Sequence, residues 1–202
     1  MKNAFICITL FITALNVSFA QNDKRYWIGV NTSISTSALI RFEGEVDGGA
    51  SYDGKAGFQL GIDCSKVIND KLNVETGLEY SRSTFYSSYI DANGQLVKNS
   101  NPEHIDLLTI PLNISVKLKN LFFITTGLQY DQTAYITNHS GIHNQTGIGI
   151  NFKIGKEFRF FDNMRLSVAP AVVIHDLIPF VTKHNQQRLF NAGIRIGYRY
   201  RF

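Results

Sequence analysis

Ten charged residues stand at alternating positions inside otherwise apolar stretches. The acids are Asp63, Glu75, Glu79 and Glu157; the bases are Lys117, Lys153, Arg165, Arg195, Arg199 and Arg201. Residues of these types in that pattern can neutralise one another as structural salt bridges, or they can line a narrow ion path. Charge withdrawn from water persists only when it is paired or solvated. A mutually neutralising plug is therefore the leading reading, and a gated, very narrow pore is the second.

Two other clusters carry residue types that do chemistry. Asn138-His139-Ser140-Gly141-Ile142-His143 holds a nucleophile type between two base types. A catalytic triad needs an oriented base beside the nucleophile, and no acidic partner lies nearby in sequence, so a solvated loop is the simpler reading. Two histidines without a third ligand make a weak metal site. Gly147-Ile148-Gly149-Ile150 lacks the strand–loop–helix setting of a phosphate loop. Its glycines are expected to relieve crowding or to let a strand bend. The sequence offers no catalytic residue, no metal site and no cofactor site.

The elements that must position the charges follow from the period of two. Apolar side chains recur at every second residue over about 26–35, 56–67, 71–86, 105–118, 121–135, 145–158 and 164–175, and in a last segment closing at 202. That is the strand period. In the last segment Ile194, Ile196, Tyr198, Tyr200 and Phe202 alternate with Gly193, Arg195, Gly197, Arg199 and Arg201. Tight turns are expected at Asn69-Asp70, Lys119-Asn120 and Phe161-Asp162-Asn163. Longer connections, rich in Gly, Asn, Ser and Asp, fall at roughly 37–54, 88–103, 136–144 and 177–188. Pro111, inside an apolar strand, predicts a bulge or a missing ladder bond.

Short turns on one side and long loops on the other are the pattern of an outer-membrane barrel with both termini periplasmic. Composition agrees. Only 18% of the 202 residues are charged, below the roughly 25–35% usual on a water-facing surface. A net charge of +4 excludes a dedicated nucleic-acid binder. No apolar run after residue 24 is long enough for a membrane helix. The non-apolar face carries Gly, Asn, Ser and Ala rather than a dense Lys/Glu exterior, which suits the crowded lumen of an eight-stranded barrel. Aromatic residues fall near strand ends: Tyr26, Phe122, Phe158, Tyr200 and Phe202 at one rim, Phe58, Tyr80 and Tyr130 toward the other. The expected fold is all-β: a closed antiparallel eight-stranded transmembrane barrel, since an open edge in lipid leaves backbone groups unpaired.

Residues 1–20 are expected to be a signal peptide. Lys2 precedes an apolar run from Phe5 to Leu15, and Ser18-Phe19-Ala20 supplies small residues before a cut. The barrel domain then occupies 21–202. Cleavage leaves Cys64 as the lone cysteine, so no internal disulfide forms.

Gly197-Tyr198-Arg199-Tyr200-Arg201-Phe202 resembles the assembly signal of bacterial outer-membrane proteins, with Tyr198, Tyr200 and Phe202 as its aromatic positions. Leu108-Thr109-Ile110-Pro111-Leu112-Asn113-Ile114 resembles a strand of the PorT-like outer-membrane β-barrel family, and Phe123-Ile124-Thr125-Thr126-Gly127-Leu128 is similar to that family's next strand. The resemblance implies a Gram-negative outer-membrane barrel, some of whose relatives assist secretion, and it supplies no catalytic residue. The expected partners are outer-membrane lipid and lipopolysaccharide, the barrel-assembly machinery during biogenesis, and a protein met through the long loops. A non-enzymatic accessory role leads. A narrow diffusion channel is second, and a lipid-modifying enzyme using the His and Ser of the His139, Ser140 and His143 loop third.

Overall fold

The computed structural model describes residues 26–41, 51–90, 93–137, 142–180 and 186–201. Eight long strands close into a ring. In spatial order they are β1 (Tyr26–Arg41), β3 (Ala56–Val67), β4 (Leu72–Ile90), β6 (Glu103–Lys117), β7 (Phe122–Ile136), β8 (Gly147–Phe161), β9 (Met164–Pro179) and β10 (Gln187–Arg201), which returns to β1. Every neighbouring pair is antiparallel. The closing seam of β1 and β10 runs unbroken from Trp27↔Arg201 to Arg41↔Gln187. Two short strands, β2 (Ser51–Gly54) and β5 (Leu96–Lys98), pair with the part of β4 that rises beyond the ring.

Turn chemistry fixes one end. The Asn69 side-chain oxygen accepts from the backbone N–H of Lys71 at 3.0 Å and of Leu72 at 2.9 Å, closing the β3–β4 turn. At Lys119–Leu121 the chain passes through a left-handed conformation at Asn120 (φ 59°), which Asn tolerates better than most residues. Pro111 behaves as its missing N–H requires. The β4–β6 ladder pairs Thr76↔Leu112 and resumes at Glu79↔Thr109, skipping Gly77 and Leu78 without changing register. On the β7 side Pro111↔Gln129 is kept.

The barrel is inside-out through most of its height. Ile28, Val30, Leu60, Leu112, Leu128, Ile154 and Ile194 face outward and are exposed, while Asn31, Asp63, Glu75, Asn113 and Lys153 are buried within. Lipid outside and a narrow polar lumen inside demand that inversion. Phe58 meets Tyr80 at the loop-side rim, with ring centroids 6.0 Å apart, and Tyr130 stacks on Phe180 at 5.9 Å. At the turn-side rim the Lys156 ammonium lies 5.5 Å from both the Phe122 and Phe158 rings.

Above the lipid belt the polarity reverses. Phe85, Ile105, Leu107, Ile142 and Leu189 form a buried apolar cluster, flanked by Leu39, Tyr52 and Ile136. Outside that collar stand Arg82 and Asp106, joined by an ion pair at 2.7 Å, and Tyr80, whose hydroxyl donates to Asp106 at 2.8 Å. Where water replaces lipid outside, the chain builds an ordinary hydrophobic interior. The strands consequently run past the predicted segments on this side: β1 ends at Arg41 rather than 35, β4 at Ile90 rather than 86, and β9 at Pro179 rather than 175.

Candidate functional site: the charged lumen

The inward face of β4 carries Glu75 and Glu79, and that of β10 carries Arg195 and Arg199. Two strands, β3 and β1, separate β4 from β10 around the ring, so the long side chains meet across the lumen. Arg199 holds Glu75 in a two-pronged pair, Nη1 to Oε1 and Nη2 to Oε2, both at 2.9 Å. Lys153 Nζ donates to the same Oε2 at 3.1 Å, from the far side on β8. Arg199 Nε lies 2.9 Å from Asp63 Oδ2, and the Asn31 amide donates to Asp63 Oδ1 at 3.1 Å. One guanidinium thus ties carboxylates from two strands, using the planar fork that lysine lacks.

One tier toward the loops, Arg195 pairs with Glu79, and its Nη2 donates to Asn31 Oδ1 at 2.7 Å. The Gln59 amide also donates to Glu79. One tier toward the turns, Arg165 Nη1 donates to Glu157 Oε2 at 2.8 Å. Lys117 is half-buried near this pair and forms no ion pair of its own among the described residues. Of the lumen charges singled out from sequence, all but Lys117 and Arg201 fall into close ion pairs.

A further buried cluster lies between the ion-pair tiers and the apolar collar. Asp131, with no exposed surface, accepts from Thr109 Oγ1 at 2.8 Å and from Gln129 Nε2 at 2.8 Å, and His175 Nδ1 lies 2.9 Å away. His175 Nε2 faces the Asn191 amide at 3.2 Å. Beside them Asp176, also fully buried, accepts from the Gln186 amide at 2.6 Å. A wide bulge produces this cluster. Between Ile148↔Ile178 and Ile150↔Ile174, the single residue Gly149 opposes His175, Asp176 and Leu177. Asp176 takes φ 52° there, so two successive side chains turn inward. Both glycines of the Gly147–Ile150 stretch make room. A Cβ on Gly149 would lie 2.5 Å from Asp131 Oδ2 and 2.6 Å from the Ile174 carbonyl, and one on Gly147 would collide with Asp176. Reasoning from sequence misses Asp131 and Asp176, and it assigns His175 no role.

Among the described residues, side chains crowd the lumen around these pairs. The cavity bounded by Asn31, Asp63, Lys153, Arg195 and Arg199 measures about 20 Å³, as does one nearer the loops beside Gln59 and Asn191. Each holds about one water molecule. His139 and Ser140, two of the three loop residues considered for a lipid-modifying enzyme, lie outside the described residues, as do the expected signal peptide and Phe202. His143 uses its carbonyl to accept from the Gln145 amide at 3.0 Å.

A family model described as outer membrane protein beta-barrel domain matches residues 5–202, and the chain belongs to that family. The solved structure of Neisserial surface protein A shares the fold; it is 14% identical with a TM-score of 0.51, over 88% of this chain and 97% of that one. OprG of Pseudomonas aeruginosa is 14% identical with a TM-score of 0.49, over 88% and 96%. No curated protein matches the sequence.

Proposed function

We propose that this chain is a non-enzymatic outer-membrane barrel with an electrically closed lumen, acting through the loops it holds above the membrane. The observation that carries this reading is the Glu75–Arg199–Asp63 junction. It crosses the lumen between strands on different sides of the ring and leaves room for about one water beside it. A conducting barrel keeps a continuous wet path; here paired charges fill it. The resemblance of Leu108–Ile114 to a PorT-like strand supports an accessory role, such as assistance to secretion, over transport.

In the proposed orientation the tight turns and both termini face the periplasm. The loops, with the β2 and β5 extensions of β4, face outward. A membrane-impermeant amine reagent applied to intact cells tests this. Lys55 and Lys98, on the loop side, are expected to be labelled, while Lys71 and Lys119, at the turns, are protected. Labelling of the turn lysines overturns the orientation. Ion flux through the purified barrel tests closure.

A further inference from the structure

Among the described residues, the turn-side mouth of the lumen carries more positive charge than its carboxylates neutralise. Arg159 stands directly opposite Arg165, and Arg165 directly opposite Arg199, so three arginines occupy one row across β8, β9 and β10. Like charges directly opposite in a sheet repel. Arg199 is neutralised by Glu75 and Asp63, and Arg165 by Glu157. Arg159, Arg201 and Lys117 have no ion pair among the described residues. Trp27, buried at 3% exposure, lies against two guanidinium groups: Arg165 is 4.2 Å and Arg201 5.3 Å from its ring centre. The indole holds both by cation–π contact. Arg165 Nε is buried there without a hydrogen-bond partner, and Arg159 opens the row to solvent.

We propose that this mouth is a binding site for a phosphate-type oxyanion, held by Arg159, Arg201 and Lys117 and seated over the Trp27–Arg165 pair. Planar guanidinium forks suit such an anion, and binding it removes the repulsion along the arginine row. The anion can come from free phosphate or from a lipid headgroup at the rim, and the experiment separates the two.

Trp27 is the only tryptophan in the chain, so its fluorescence reports this mouth directly. The full protein, refolded in maltoside micelles, is titrated with inorganic phosphate against potassium chloride at matched ionic strength. The expected result is a saturable change with phosphate alone. Arg159→Gln and Arg201→Gln each raise the half-saturating concentration about tenfold, the scale of one lost charge-assisted bond. Arg159→Gln also raises the urea midpoint of the phosphate-free protein, because it relieves the row, and it shrinks the further rise that phosphate gives. Saturation in micelles assigns free phosphate. A response confined to vesicles of phosphatidylcholine with phosphatidic acid, absent from phosphatidylcholine alone, assigns the headgroup. A change that follows ionic strength equally in chloride, or half-saturation unmoved by both substitutions, overturns the site.

Discussion

The Arg199 guanidinium and the Glu75 carboxylate, 124 residues apart in sequence, meet through two parallel contacts of 2.9 Å inside the barrel. Their strands are not neighbours in the ring, so this pair ties opposite parts of the wall rather than adjacent ones. Removing one partner of a buried ion pair leaves the other charge uncompensated, at a cost of about 3–5 kcal/mol. Glu75→Ala and Arg199→Ala are each expected to lower unfolding stability in lipid vesicles by about that amount. The double variant is expected to recover part of the loss, measured as a coupling energy in urea titrations. Strictly additive losses would show that the contact contributes nothing.

The inside–outside assignment predicts an asymmetry between adjacent residues. Ile150 faces lipid and Asn151 is buried in the lumen. Ile150→Arg is expected to cost about 2–4 kcal/mol, the range for arginine on the lipid face near mid-membrane. Asn151→Arg is expected to cost less, since its surroundings are already polar. Refolding titrations in lipid compare the two, and equal losses would contradict the assignment.

That assignment is legible in the amino-acid sequence through alternation. Along the final segment, Ile194, Ile196, Tyr198 and Tyr200 against Arg195, Gly197 and Arg199 place each side chain on its face, because a strand side chain has only two directions. The same rule, continued two residues past Gln129, reaches Asp131, and continued past Val173 it reaches His175. Asp176 is not legible, because the bulge opposite Gly149 breaks the period. The apolar collar is hidden for another reason. Phe85, Ile105 and Leu107 keep the inward parity of Glu79 and Thr109, but beyond the lipid the inward face becomes apolar. Polarity alone therefore stops marking direction there.

Gly149 carries a steric prediction. Gly149→Ala would place a methyl against Asp131 Oδ2 and the Ile174 carbonyl. Displacing a buried carboxylate and a strand backbone together is expected to cost about 1–3 kcal/mol. Amide exchange around His175 and Asp176 is expected to accelerate, with the Glu75–Arg199 tier unaffected. Unchanged exchange at both tiers would show that the bulge accommodates the methyl.

The collar predicts a separable stability. Phe85, fully buried in it, contributes packing that Phe85→Ala removes at about 3–5 kcal/mol. Amide protection is expected to fall on the loop side of β4 and β6 and to persist in the lipid belt. Loss of protection throughout the barrel would show that collar and belt unfold as one unit.

The closed lumen is the central claim, and single-molecule conductance in planar bilayers tests it most directly. The wild-type protein, inserted at low density in about 1 M potassium chloride, where surface charge is screened within a few ångströms, is expected to remain electrically silent. The Glu75→Ala, Glu79→Ala double variant, which deprives Arg199 and Arg195 of their cross-lumen carboxylates, is expected to give discrete opening steps. Stable ohmic steps from the wild type would contradict the plugged barrel and establish a pore in its place.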